Sequence, residues 1–274
     1  MTPPGLLLAL ALHAGSASAS PSASPSASPS ASSAASPSAL GGLTATQILE
    51  LARDAQRLDR GYQRLRMVLV SKGGAERVRE LELYTRRDED ATRTRLNILS
   101  PAEVAGTALV LVDMAQGEDQ QLLYLPALKK VSLLVGLARR SSFVGSDLSH
   151  EDLDLSYAEG AAATILSQDA TGWEIELLPA AGAPWSRLQI RVERPATIAR
   201  RVDFYDKGGT LVKQIQVEEL QTVAGRSLPR RTVIADLRRG TQTRIEVLET
   251  RSDLSEAELP LTLFQSTSLG SSAP

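Results

Sequence analysis

Cysteine is missing from all 274 residues, and histidine occurs only twice, at His13 and His150. The first absence excludes a disulfide framework, a thiolate nucleophile, thiolate metal ligation and a lipidated N-terminal cysteine. The second excludes any site built on two imidazoles once the leader that carries His13 is removed. Aromatic residues are 4% of the chain, too few for the two interfacial girdles of an outer-membrane barrel. The strand-like runs, of about 6–8 residues, are also shorter than the roughly 9–11 that a tilted membrane strand needs. No apolar run approaches the ~20 residues that cross a bilayer as a helix. Nor does one sign of charge dominate: 30 Lys and Arg stand against 32 Asp and Glu, for a net charge of −2. There is no concentration of positive charge to bind nucleic acid.

What is present is ordinary for a globular protein with a substantial core, 42% hydrophobic and 23% charged. Residues 6–12 (LLLALAL) are a short apolar run, and Ala17 and Ala19 satisfy the small-residue rule of signal peptidase. Residues 1–19 are therefore expected to be a signal peptide and the mature protein periplasmic, although no Lys or Arg precedes the run. Residues 20–42 form a Ser/Ala/Pro-rich linker with no side chains able to build a core. One domain is expected over 43–269, followed by a disordered tail at 270–274.

The domain opens with a capping-box spacing, Thr44 to Gln47. Ile48, Leu51, Ala52, Ala55 and Leu58 then recur at helical intervals up to Gly61 as the C′ residue. Beyond it the period changes to two, with Leu65, Met67 and Leu69 alternating with Arg64, Arg66 and Val68, and Gly73-Gly74 turning the chain into 78–84. Strand-like runs follow at 92–99, 107–112, 121–125, 130–134, 162–168, 173–178, 187–192, 200–205, 210–220, 228–237 and 241–250. Turns are expected at 206–209, Gly225 and Gly240. Strand follows strand, so the expected class is mainly β (α+β), one strongly curved antiparallel sheet or barrel, and not a doubly wound α/β fold. Its wet face is assigned Arg77, Arg79, Glu80 and Glu82, its apolar face Val78, Leu81 and Leu83. The apolar face fits either a packed core or a cavity left partly open under a thin helical cover, since alternation alone does not separate the two.

The densest unusual stretch is 139–154. A Ser–His–Asp relay drawn from Ser142 or Ser149, His150 and Asp147 or Asp152 lacks the strand–Gly-x-Ser-x-Gly–helix elbow. The carboxylates Asp147, Glu151, Asp152 and Asp154 lack EF-hand spacing, and a helix N-terminus after Ser146 accounts for them. No catalytic residue, metal or cofactor is expected. Gly145 fits a positive-φ turn, Ser146 an N-cap, and Arg139 and Arg140 are placed to pair with Asp147 or Asp152.

Three stretches together, PAEVAGTAL at 101–109, YLPALKK at 124–130 and SFVGSDLSHEDL at 142–153, resemble the outer-membrane lipoprotein-sorting proteins of the LolA-like superfamily. The resemblance extends to Leu259, Phe264 and Leu269 near the end, and so spans about 43–269. Its motif positions are Tyr124, Leu125, Pro126, Lys130, Arg140, Phe143, Gly145, Asp147 and Asp152. His150 stands where an aromatic is common, and no position matches the lid-locking arginine of the best-studied carriers. The resemblance implies an incomplete antiparallel β-barrel with a helical lid over an apolar cavity, in a periplasmic, non-enzymatic and expectedly monomeric carrier of lipid or lipoprotein acyl chains. A resistance-nodulation-division type exporter is the implied partner. Met67, Leu69, Leu81, Leu83, Leu96, Ile98, Leu109 and Leu111 are the expected cavity lining. The alternative is a lipid-sensing regulator of the same fold that binds a membrane or anti-sigma partner.

Overall fold

A computed structural model describes residues 42–155, 158 and 160–270. The expected signal peptide, all but the end of the linker, and residues 271–274 of the tail lie outside them. Helix α1 (Ala45–Ala55) starts at the expected capping box: the Thr44 hydroxyl accepts from the Gln47 amide, and the Gln47 side chain accepts from the Thr44 amide. It ends earlier than expected. Gln56 is its C-cap, and Gly61 lies instead in the first strand, where a Cβ would stand 2.9 Å from that of Leu58. Glycine is needed there for close packing, not for a helix stop.

The strands are β1 (Arg60–Val70), β2 (Glu76–Arg87), β3 (Ala91–Ser100), β4 (Ala108–Met114), β5 (Gln120–Leu125) and β6 (Lys130–Leu133) in the first half. The second half holds β7 (Ala162–Asp169), β8 (Gly172–Leu178), β9 (Arg187–Glu193), β10 (Ile198–Tyr205), β11 (Leu211–Val223), β12 (Arg226–Asp236) and β13 (Thr241–Ser252). All thirteen form one antiparallel sheet in the order β6-β5-β4-β3-β2-β1-β13-β12-β11-β10-β9-β8-β7. The chain enters mid-sheet, meanders out to the β6 edge, crosses once to the β7 edge and meanders back until β13 seals against β1. Short turns suffice for every other connection, which the glycines at positive φ permit: Gly74, Gly209, Gly225 and Gly240 sit where the sequence places turns. The sheet is not closed into a barrel, because β6 and β7 do not pair.

The register puts Leu65, Met67 and Leu69 beside Leu81 and Ile245, and Leu83 beside Leu96, which pairs with Leu109. These residues share one face and one apolar cluster with Ile175, Ile190, Val202 and Phe204 from the second half. Two covers close over that face. Helix α1 packs on β7, β9 and β10. The crossing segment, residues 134–161, contributes Leu134, Phe143, Leu148, Leu153, Leu155 and Ala158 to the same cluster.

The assignment of faces on β2 needs correction. Arg77 and Arg79 have the parity of Leu81 and Leu83, so they lie on the concave side, whereas Val78 points outward and is exposed. Nor is the other face simply wet. Residues 253–270 lie across it, and Leu254, Leu259, Leu263, Phe264 and Leu269 form a second apolar cluster with Tyr84, Ala108 and Val110.

Candidate functional site

The crossing segment is built as a tight loop closed on itself. Phe143 and Leu148 are joined through the Phe143 amide and the Leu148 carbonyl at 2.8 Å, and the His150 amide donates to the Ser141 carbonyl. The Ser142 and Ser146 hydroxyls donate inward to the carbonyls of Ser146 and Phe143. Helix α2 (His150–Asp154) is capped by Ser149, whose hydroxyl accepts from the Asp152 amide while the Asp152 carboxylate accepts from the Ser149 amide. The expected N-cap at Ser146 is thus displaced by three residues, because Ser146 is already committed to the loop. Gly145 has the expected positive φ of 79°, and Val144 beside it has φ 44°. A β-branched residue in that region is strained.

Polar groups reach the loop from strands of both halves. From β2, Arg79 is buried and its Nε donates to the Val144 carbonyl at 2.9 Å. From β5, the Gln121 amide donates to the His150 carbonyl at 3.1 Å and to Asp154. From β11, the Lys213 ammonium meets the fully buried Asp152 carboxylate, with the Phe204 ring 5.1 Å and the Trp185 ring 5.9 Å from its Nζ. From β13 and the turn before it, Thr243, Thr241 and Arg239 donate to the Asp147 carboxylate.

The expected pairing of Arg139 and Arg140 is overturned. Arg139 pairs with Asp154 at 3.2 Å and Arg140 with Glu151 at 3.2 Å. Asp147 and Asp152 face the sheet, so their cationic partners are Arg239, in the turn before β13, and Lys213 on β11, and not the loop's own arginines.

His150 meets Phe143 edge-on, ring centroids 5.7 Å apart, which explains how it occupies an aromatic position. Burial pushes its imidazole down to about 4, and its Nδ1 has no hydrogen-bond partner among the described residues. Nearby on β4, burial, with Asp119 adding repulsion, pushes the Asp113 carboxyl up to about 8. Asp113 lines an open cleft of about 780 Å³ between residues 113–120 and 133–139. A second cleft, about 330 Å³, lies over the loop between Trp185, Lys213 and Arg239.

Met67, Leu69, Leu81, Leu83, Leu96, Ile98, Leu109 and Leu111 are brought together on the concave face beneath this loop, all of them buried. Gly145 sits over Leu69 and Arg79, its Cβ position 3.8 Å from each. The motif residues do not form one site. Phe143, Gly145, Asp147 and Asp152 belong to the loop and Arg140 flanks it. Tyr124 lies on the convex side, where Gly270 passes so close that a Cβ would fall 2.8 Å from the ring. Pro126 packs against Gly106, which joins two of the three motif stretches, while Leu125 and Lys130 pair across the β5–β6 turn. Arg79 is the residue that sequence reasoning missed. Its spacing of two from Leu81 carries the signal.

This fold, one antiparallel sheet left open between β6 and β7 with a crossing loop and a helix over one face, is similar to that of solved proteins that include a LolA superfamily member. A DUF1329 family protein from Desulfovibrio piger superposes with a TM-score of 0.71 at 23% identity, over 82% of this chain and 99% of its own. A domain from Vibrio parahaemolyticus assigned to the outer membrane lipoprotein-sorting proteins gives 0.71 at 20% identity, over 81% and 97%. A LolA superfamily protein from Nitrosomonas europaea gives 0.63 at 17% identity, over 83% and 100%. A family model described as "uncharacterized protein" matches residues 90–271, and the chain belongs to that family. No curated protein matches it. Among the described residues no helix is long and apolar enough to cross a membrane.

Proposed function

We propose that the protein is a periplasmic carrier that holds lipid, or the acyl chains of lipoproteins, on the concave face of its sheet beneath residues 134–161 and α1. The observation that carries this reading is how the cover is attached. Beyond the main-chain bond from the Leu134 amide to the Gln121 carbonyl at its start, the loop over the apolar face is tied by side-chain hydrogen bonds and ion pairs from β2, β5, β11 and β13, with no strand of the sheet among its described residues. Such a cover can lift as a unit while every ladder stays paired. The eight residues from Met67 to Leu111 are then the cargo lining, and Arg79 is the latch on the loop's strained turn. Burying ten methylenes of an acyl chain at ~0.8 kcal/mol each supplies about 8 kcal/mol of gross driving force, which offsets the loss of the loop's own apolar contacts. No cofactor or catalytic group is needed.

The name of the Vibrio parahaemolyticus domain supports the cargo class. The same reading takes residues 1–19 as the export signal, 20–42 as a spacer, the carrier as a monomer, and a resistance-nodulation-division type exporter in the inner membrane as the donor or acceptor. The test is native mass spectrometry, with organic extraction, of protein purified from the cell envelope without detergent. A bound acylated species is expected. A clean apo mass in every preparation, with no uptake of added lipid or apolar fluorescent probe, would reject the proposal.

A further inference from the structure

We propose that the outermost strand β6 and the turns at its two ends form a docking surface for an anionic lipid bilayer. Among the described residues the four most exposed large hydrophobic side chains are Leu137 (75%), Leu128 (66%), Val135 (61%) and Leu133 (54%). All four fall within ten residues of one another. Along the chain this stretch is polarised in charge: no acidic residue occurs between Asp119 and Asp147, while Lys129, Lys130, Arg139 and Arg140 do. Asp113, Glu118 and Asp119 line the cleft with Leu133 and Val135, a cleft that does not include Leu128, Lys129 or Lys130. Arg139 and Arg140 are engaged by Asp154 and Glu151. Lys129 and Lys130 are exposed directly beside Leu128.

Local geometry explains why these side chains face outward. Pro126–Leu128 is a single 3-10 turn ended by Lys129 in the left-handed region at φ 47°, which throws Leu128 off the end of the β5–β6 hairpin. At the opposite end of β6, the 3-10 turn Gly136–Arg140 does the same for Leu137. The apolar groups are thus spread along an edge of about 13 Å and the turns beyond it, with Leu133 and Val135 also lining the open cleft beside β4 and β5 and Leu128 and Leu137 outside it. Such a row fits a soft, laterally continuous surface better than a folded partner. Leucines at headgroup depth with lysine stems reaching back to lipid phosphates are the interfacial pattern that anionic bilayers bind. The free backbone groups of β6 limit the depth, since hydrocarbon could not satisfy them and headgroups with water can. The other sheet edge supplies an internal contrast: β7 also exposes a leucine, Leu166, yet carries no Lys or Arg.

The surface shares Val135 and Leu137 with the segment that covers the concave face but none of the eight residues proposed to line it, and the inference holds whatever that face carries. The test is sedimentation of the full mature chain with vesicles of phosphatidylethanolamine and phosphatidylglycerol at 3:1, against phosphatidylcholine vesicles. A carrier that merely extracts a single lipid stays in the supernatant, so the pellet reads docking alone. Wild-type protein is expected in the pellet with the anionic vesicles. Leu128→Asp with Leu137→Asp should lower partitioning at least tenfold, Lys129→Glu with Lys130→Glu comparably, and Leu166→Asp not at all. These positions are exposed, so the variants fold, as circular dichroism will verify. Should the leucine pair fail that check, the lysine pair decides between docking and its absence. Wild type left in the supernatant, equal binding to phosphatidylcholine, or variants within twofold of wild type would overturn the proposal.

Discussion

The sheet is covered twice, and the two covers are fastened differently. On the convex side Arg86 and Arg95, both buried, donate to the carbonyls of Leu259 at 2.7 Å and Leu263 at 2.9 Å. Residues 253–270 then lay their leucines onto Tyr84, Ala108 and Val110. Over the concave face the segment also buries apolar groups, but its polar anchors include the buried Lys213–Asp152 pair and the Asp147 cluster. The turn that Arg79 holds contains a valine at positive φ. Both covers carry ion pairs and a non-glycine residue at positive φ, Glu256 with Arg86 and Arg60 and Asp253 at 57° on the convex side, but a β-branched valine at 44° is more strained than an aspartate in that region. Opening either cover hydrates its buried charges, but opening the concave one also releases the strained β-branched turn. The concave cover is therefore the one whose open state lies nearer in energy.

The largest effect should come from breaking the buried pair. Lys213→Ala leaves Asp152 as an uncompensated buried carboxylate and is expected to cost about 3–5 kcal/mol in urea unfolding. Replacing both partners, Lys213→Met with Asp152→Leu, should recover most of that loss. A double replacement as unstable as the single one would mean that the pair does more than balance its own charge. On the convex side, Arg95→Ala removes the donor to Leu263 and Ser268 and should cost about 2–3 kcal/mol, while leaving uptake of an apolar fluorescent probe unchanged. Increased uptake in that variant would erase the distinction between the covers.

Acidity should act on the concave cover first. His150 is held below its usual range by burial, at about 4. The stability its neutral form contributes is present above the unfolded value near 6.5 and is lost as pH falls through about 4. The loss should reach about 3 kcal/mol. His150→Phe should flatten that limb, with the new ring meeting Phe143 edge-on. Asp113 runs the opposite way, because burial raises it to about 8. Its contribution is full below the unfolded value and lost as pH rises through 8. The His150 comparison is therefore sharpest in an Asp113→Asn background. An unchanged acid limb in His150→Phe would remove His150 from the account.

Most of the fold was legible because its determinants are local. Strand alternation and turn glycines mark all thirteen strands, and Thr44 with Gln47 marks the start of α1. What local pattern does not carry is which edge each meander ends on. The single crossing from β6 to β7, which creates the cover, appears only in the pairing order. The convex cover had a readable sign that alternation obscured: residues 108–112 (ALVLV) are apolar on both parities, the signature of a strand buried on both faces. The site was legible in part. Gly145 and the cargo-face leucines follow from turn chemistry and parity, whereas the partners of Asp147 and Asp152 come from strands about 60 to 95 residues further along the chain, beyond the reach of spacing arguments.

The finest separation of the two covers rests on Arg79. Its Nε is bound to a main-chain carbonyl, as the Arg86 and Arg95 guanidinium groups are on the other face, yet its carbonyl belongs to the strained Val144–Gly145 turn. Loss of this hydrogen bond on Arg79→Ala should therefore cost global stability only about 1 kcal/mol, because the turn relaxes once released. The local consequence should be larger than the global one. Trypsin has two sites at Arg139 and Arg140, just ahead of the loop, and native-state cleavage there should accelerate several-fold in Arg79→Ala while remaining at the wild-type rate in Arg95→Ala. Faster probe uptake should accompany faster cleavage if both report the same opening. Cleavage that accelerates equally in both arginine variants would show that the covers open together, and the strain at Val144 would then have no separate role in releasing the loop.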